Sequence, residues 1–261
     1  MGEPLSTRQF LTLTGLGLLA FFGIWTLAAA FELAPRRFLP LPWEVFSTAW
    51  SLTTDPFSGQ TIQGHALSSI QRFASGFALA ALIGLPLGIL MGWYRWLDHI
   101  ISPLFDALRF VAPIAWVPFA ALWFGTGIGG PMLIIIVGAL PPCLINAYRG
   151  ARQVEQKYIE AARMLGASGP RTMLEVLLPA ATPSVVAGLR VGAGAGLQSL
   201  IAAELVSANS GIGLMMIRGQ GILDTSIVMV GMIVVGLLGV IMDVSLRLAE
   251  RRIRRRRGLE S

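Results

Sequence analysis

Charged side chains are scarce in this chain, so those falling inside apolar stretches are the first candidates for chemistry. Arg109 is one. An arginine inside a membrane segment is costly unless paired or hydrated, which makes it a candidate for contacting an anion. Asp106, three residues earlier, offers a second reading as a same-helix partner. Arg190 reads as a boundary residue early in a later span, and Glu204, deeper in that span, would repel an anion. Glu204 therefore suits helix pairing or an outer gate. Gln198 and Ser199 hydrogen-bond without charge, which suits a path that must release its cargo. Phe110, Trp116 and Met215 are candidate apolar gates. Pro113 and Pro118 remove backbone donors and kink a helix, tolerated at membrane depth only beside protein or a water-filled cavity. Arg109, Phe110, Pro113, Trp116, Gln198, Ser199 and Glu204 thus form the candidate substrate path.

Enzymatic chemistry has little to build on. The two histidines, His65 and His99, are far apart and have no metal-ligand spacing. No nucleophile elbow and no G-x-x-x-x-G-K-[ST] phosphate loop is present. We expect no catalytic residues, no metal, no cofactor of the chain's own, and no ATP hydrolysis by the chain alone.

A second cluster of interest is polar and lies between two very apolar halves, in YIEAARMLGASGPRTMLEVLLPAA. Ala161 and Ala162 after Glu160 favour helix, Gly166 suits a left-handed helix end, and Pro170 suits the first turn of a new helix after Ser168 or Gly169. The reading is helix, sharp turn, short helix, on a loop too polar to cross lipid.

The elements that position these residues follow from composition. Of 261 residues, 54% are hydrophobic and only 13% charged, with a mean hydropathy of +0.69. Soluble domains carry about a quarter charged residues, so this is a polytopic membrane chain, all-α in class. Six stretches are long enough to cross about 30 Å of hydrocarbon at roughly 1.5 Å per residue, near 10–31, 68–93, 103–124, 130–149, 181–208 and 222–247. Ala28-Ala29-Ala30 resembles a signal-peptidase site, but the first apolar run is longer than a signal core, so an uncleaved span is expected. With both termini inside, the inner side holds Arg8, Arg95, Arg149, Arg152, Lys157, Arg163, Arg171, Arg247 and the arginines of 251–257. The outer side holds only Arg36, Arg37, Arg72 and Arg218, which puts the polar loop in the cytoplasm. The net charge of +6 thus follows topology and does not call for nucleic acid. The cluster at 251–257 reads as a stop-transfer and anionic-lipid anchor.

Residues 32–67 form an outer connection, with an interfacial helix around 43–52 carrying Trp43 and Trp50. Gly84, Gly88 and Gly92, and likewise Gly188, Gly192 and Gly196, recur every four residues and predict close helix packing. Cys143 excludes an intrachain disulfide and reads as a small core residue. The chain reads as one domain over 1–261, with a core at 68–248 and the polar loop at 150–180.

The spacing of Glu160-Ala161-Ala162, Gly166 and Val176-Leu177-Leu178-Pro179 resembles the EAA loop of ABC-transporter permeases. In that family the loop is the cytoplasmic element that docks into the ATPase subunit. The resemblance implies a type I importer permease fold, with Glu160, Ala161, Ala162, Gly166, Ala167, Ser168 and Pro179 as coupling residues. Residues 109–118 (RFVAPIAWVP), then 122–127 (LWFGTG), 188–192 (GLRVG), 202–205 (AAEL) and 210–213 (SGIG) resemble the nitrate, sulfonate, taurine and bicarbonate subgroup. Phe110 and Ala112 stand where relatives commonly have proline, and Leu197 where an aromatic is usual. The resemblance implies an importer in a bacterial inner membrane. Two permease copies would form the pathway, two ATPase subunits would bind the ATP, and an extracytoplasmic binding protein would deliver a small anion. A secondary transporter or channel, coupled through Asp106, Glu204, Asp224 or Asp243, is the alternative.

Overall fold

The structure is a computed structural model that describes residues 7–35, 37–125 and 127–256. Arg36, Thr126 and Arg257, and the side chains of Arg8, Arg252, Arg254, Arg255 and Arg256, lie outside the described residues. The described chain is helical: α1 (Thr7–Ala30), α2 (Pro42–Thr54), α3 (Ile62–Trp93), α4 (Arg95–Leu108), α5 (Val117–Phe124), α6 (Gly129–Arg152), α7 (Gln156–Met164), α8 (Gly169–Thr172), α9 (Leu178–Ser207), α10 (Ile212–Gly221) and α11 (Thr225–Arg256). Five helical segments are long and apolar enough to cross a membrane, or six if α4 and the bent segment after it count as one.

That bent segment corrects the expected third span at 103–124. Its helical part starts earlier, at Arg95, and Pro113–Phe124 meets α4 at 87°. Proline disfavours the helical region for the residue before it, and Ala112 is accordingly extended, at φ −56° and ψ 138°. A 3-10 turn, Pro113–Trp116, then leads into α5. Pro118 breaks nothing, because it sits in the first turn of α5, where no donor is required.

The described residues pack as two units. The larger comprises Gly64–Leu214 with Val234–Ser261, and the smaller Met1–Gln63 with Met215–Ile233. In the smaller, the Trp25 indole donates to Pro40 O at 3.0 Å. The start of α2 is secured when Leu41 N–H donates to Glu44 Oε2 at 2.9 Å, and Trp43 and Trp50 stay exposed on that helix. In the larger unit α6 is the central helix. Gly84, Gly88 and Gly92 of α3 lie against Cys143, Leu144, Ala147 and Ala151 of α6; Gly188, Gly192 and Gly196 of α9 lie against Asn146, Cys143 and Ala139. A methyl at Gly88 would stand 2.4 Å from Leu144 O, and one at Gly192 2.6 Å from Cys143 Sγ. The glycines are therefore a steric condition of the packing, which in lipid is stabilised by close contact rather than by exclusion of water.

Candidate functional site

The polar loop folds as its local chemistry requires. Leu165 closes α7, and Gly166 follows at φ +81°. Gly166 N–H donates to Arg163 O at 2.9 Å and Ala167 N–H to Ala162 O at 3.0 Å, the paired bonds of a Schellman end. Nothing lies within 4 Å of a methyl built on Gly166, so the glycine is there for its backbone alone. Ser168 precedes α8, and its carbonyl accepts from Thr172 N–H at 2.9 Å and from Thr172 Oγ1 at 3.0 Å. Pro170 occupies the first turn of α8. Glu160, Ala161, Gly166 and Ser168 are exposed, while Ala162 and Ala167 are half-buried. The turn leaves Met164 83% and Leu165 89% exposed, an apolar tip on a polar loop.

Pro179 stands apart from this group, in the first turn of α9. Between α8 and α9 the chain takes a π-helical turn, Met173–Leu177, with Leu178 N–H donating to Met173 O. Sequence reading missed it. The available signal was Pro179, which has no N–H to offer Glu175 and whose ring crowds that carbonyl in a regular α-helix.

A cavity of about 540 Å³ opens between residues 105–116, α6 and α9. It brings together Arg109, Pro113, Trp116, Gln198 and Ser199 from the expected path. Ser199 Oγ donates to Ala195 O at 2.8 Å, and Gly138 makes room for it, since a methyl there would overlap Ser199 Oγ. Trp116 Nε1 is buried without a hydrogen-bond partner. Arg109 is held by its neighbours: Nε lies 2.8 Å from Asp106 Oδ1, and the guanidinium sits 4.7 Å from the centre of the Phe110 ring. Phe110 itself is exposed and does not line the cavity. Of the positions that depart from the subgroup pattern, Ala112 lines the cavity, whereas Leu197 packs on Gly239 of α11. Arg190 is tied to α11 through Asp243 Oδ1 at 2.6 Å.

Glu204 lies elsewhere, in a buried network with Arg72. Arg72 of α3 is only 6% exposed; its Nη1 donates to Glu204 Oε1 at 3.1 Å and to Ser210 O at 2.7 Å. Ser69 Oγ donates to Glu204 Oε1 at 2.8 Å, and Gly213 N–H to Oε2 at 3.0 Å. Gly211, at φ +114°, donates its N–H to His65 Nδ1 at 3.1 Å. The network fastens α3 to the α9–α10 turn. Each carboxylate that an ion-coupled transporter would use is thereby engaged: Asp106 by Arg109, Glu204 by Arg72, Asp243 by Arg190 and Arg247, and Asp224 by the backbone N–H of Ser226 and Ile227 at the start of α11.

Comparison with known proteins bears on this arrangement. Residues 84–255 match the family model described as binding-protein-dependent transport system inner membrane component. The taurine transport system permease protein TauC of Escherichia coli is 32% identical over 251 residues, covering 96% of this chain and 90% of the relative. The bicarbonate transport system permease protein CmpB of Synechococcus elongatus is 35% identical over 235 residues, covering 87% of this chain and 84% of the relative. Among solved structures, the MetNI methionine ABC transporter in an inward-facing conformation matches with a TM-score of 0.57 at 20% identity, covering 83% of this chain and 97% of that one. The fold is that of a type I ABC importer permease.

Proposed function

We propose that this chain, which belongs to the family of binding-protein-dependent transport system inner membrane components, passes a small anion through the cavity beside Arg109. It is a multi-pass inner membrane protein and the permease subunit of an ABC importer. The observation that carries the anion reading is the position of Arg109, at the break between α4 and the Pro113 turn and on the cavity wall. A cation there attracts an oxyanion, and the neutral donor of Gln198 orients it without holding it too tightly to leave. The taurine and bicarbonate for which the relatives are named each carry an oxyanion group.

The energy enters through the other end. The exposed Met164–Leu165 tip suits an apolar groove on a separate ATPase, and the residues behind it, Glu160, Ala161, Ala162, Gly166, Ala167 and Ser168, fix its direction. Pro179 and the π turn join that loop to α9, which carries Gln198 and Ser199. Movement of the tip on ATP binding is thereby passed to the cavity wall. In this reading two copies of the chain enclose the pathway, two ATPases bind beneath, and a binding protein delivers cargo from outside. Both termini lie on the cytoplasmic side with the loop.

The test is transport by the reconstituted assembly in vesicles, with binding protein supplied outside. Labelled taurine, an alkanesulfonate, nitrate and bicarbonate are offered in turn. ATP-dependent accumulation of at least one is expected. Accumulation driven by an ion gradient without ATP, or uptake confined to solutes that carry no anionic group, overturns the reading.

A further inference from the structure

A second cavity, of about 480 Å³, lies where the α3–α4 junction meets the end of α6 and the polar loop. It is walled by Trp93, Tyr94, Arg95, Arg152, Arg163 and Pro170, among others, and no carboxylate lines it. Arg152 is turned towards Asp98, at 2.6 Å, and keeps a part of its charge for that partner. Arg95 and Arg163 have no ion-pair partner among the described residues, and both are exposed. The cavity is thus a concave site with two uncommitted guanidinium groups and a third at its edge.

We infer that this cavity holds the phosphate headgroup of an anionic phospholipid. Three arginines fit a phosphate diester, which accepts bidentate hydrogen bonds from guanidinium. Free phosphate shares that chemistry, but the surroundings favour a lipid. Trp93 ends the long apolar helix α3, and Tyr94 and Trp96 follow it at the start of α4, the residue types that mark headgroup depth. Trp96, Ile100 and Leu104 follow at four-residue spacing on α4, 62%, 66% and 64% exposed, and form an apolar stripe along which acyl chains can lie. A bound headgroup would join the α3–α4 junction to Arg163 of the loop, so the lipid would brace the base of the loop rather than its tip.

Retention of lipid is the measurement. The chain is purified with its ATPase in detergent from membranes containing phosphatidylcholine and phosphatidylglycerol, and the lipids retained are quantified by mass spectrometry. Wild type is expected to be enriched in phosphatidylglycerol. Arg95→Gln should lower the enrichment about fivefold and Arg95→Gln with Arg163→Gln about 25-fold, the factors that correspond to ~1 kcal/mol per basic residue. Arg171→Gln, outside the cavity and paired with Glu175, should leave it unchanged. In a second arm, short-chain phosphatidylglycerol and inorganic phosphate are titrated into wild type by calorimetry, which needs no variant to fold. The lipid should bind and phosphate should not at equal concentration. Equal binding of phosphate would assign the cavity to the free ion and overturn the proposal. Unchanged enrichment in the double variant would also overturn it, and if the ATPase were lost at the same time the arginines would belong to that contact instead.

Discussion

Arg72 Nη1 and Glu204 Oε1 lie 3.1 Å apart, joining two helices whose paired residues are 132 positions apart in the chain. Neither side chain is accessible to any extent that would hydrate it: Arg72 is 6% exposed and Glu204 not at all. Each charge is viable because the other is present; Ser69 and the Gly213 N–H donate to the carboxylate and Ser210 accepts from the guanidinium, while Arg72 Nε stays buried without a partner. Breaking such a pair from one side leaves a buried orphan charge, which costs about 3–5 kcal/mol. Arg72→Met should therefore lower the thermal midpoint of the purified protein sharply, and Arg72→Met with Glu204→Gln should recover most of the loss. A double variant no more stable than Arg72→Met alone would show that the pair is not what secures the α9–α10 turn.

Gly166 should tolerate no side chain well, for a reason unrelated to space. With φ at +81° and open surroundings, the penalty for Gly166→Ala is about 1–2 kcal/mol of local conformational energy, and Gly166→Val should suffer more from its β-branched side chain. Insertion into the membrane should persist in both. Substrate-stimulated ATPase activity and uptake should fall for Gly166→Val, and near wild-type values of both would remove the loop turn from the coupling path.

Topology has its own check. In a Cys143→Ala background, cysteines placed at exposed Ser168 and Ser58 should react with an impermeant thiol reagent from opposite sides. Ser168→Cys should label in inside-out vesicles and Ser58→Cys in right-side-out ones. Labelling of both from one side contradicts an odd number of crossings between them.

For Arg109, charge removal and partner removal separate two roles. Arg109→Gln should reduce anion uptake roughly tenfold or more, since a charge-assisted contact contributes about 1.5–3 kcal/mol. ATPase activity without cargo and assembly with the ATPase should survive. If the 2.8 Å pair with Asp106 is the whole function of Arg109, Asp106→Asn added to Arg109→Gln restores uptake. Restoration would take Arg109 off the substrate path.

The parts that were legible in the sequence are those decided within a few residues. The turn at Gly166 depends on one residue free to take positive φ, and the start of α8 on Pro170 behind Ser168. The helix-packing faces were legible because glycines every four residues share one side whatever they meet. What those faces meet was settled only in three dimensions, where Cys143 of α6 lies between Gly84 of α3 and Gly192 of α9. Pro113 announced a break, but the 87° angle arises from an extended Ala112 and from the way the two halves pack. That Arg72 pairs with Glu204 was not legible, because a sequence shows the charge of a segment and not its partner. The cavity likewise joins Arg109 to Gln198, far apart in the chain, a proximity created by α6 and α9 packing side by side. Backbone preferences act locally and are written along the chain. Partnerships between buried charges, and the hollows between helices, depend on which faces come into contact, and tertiary packing alone decides that.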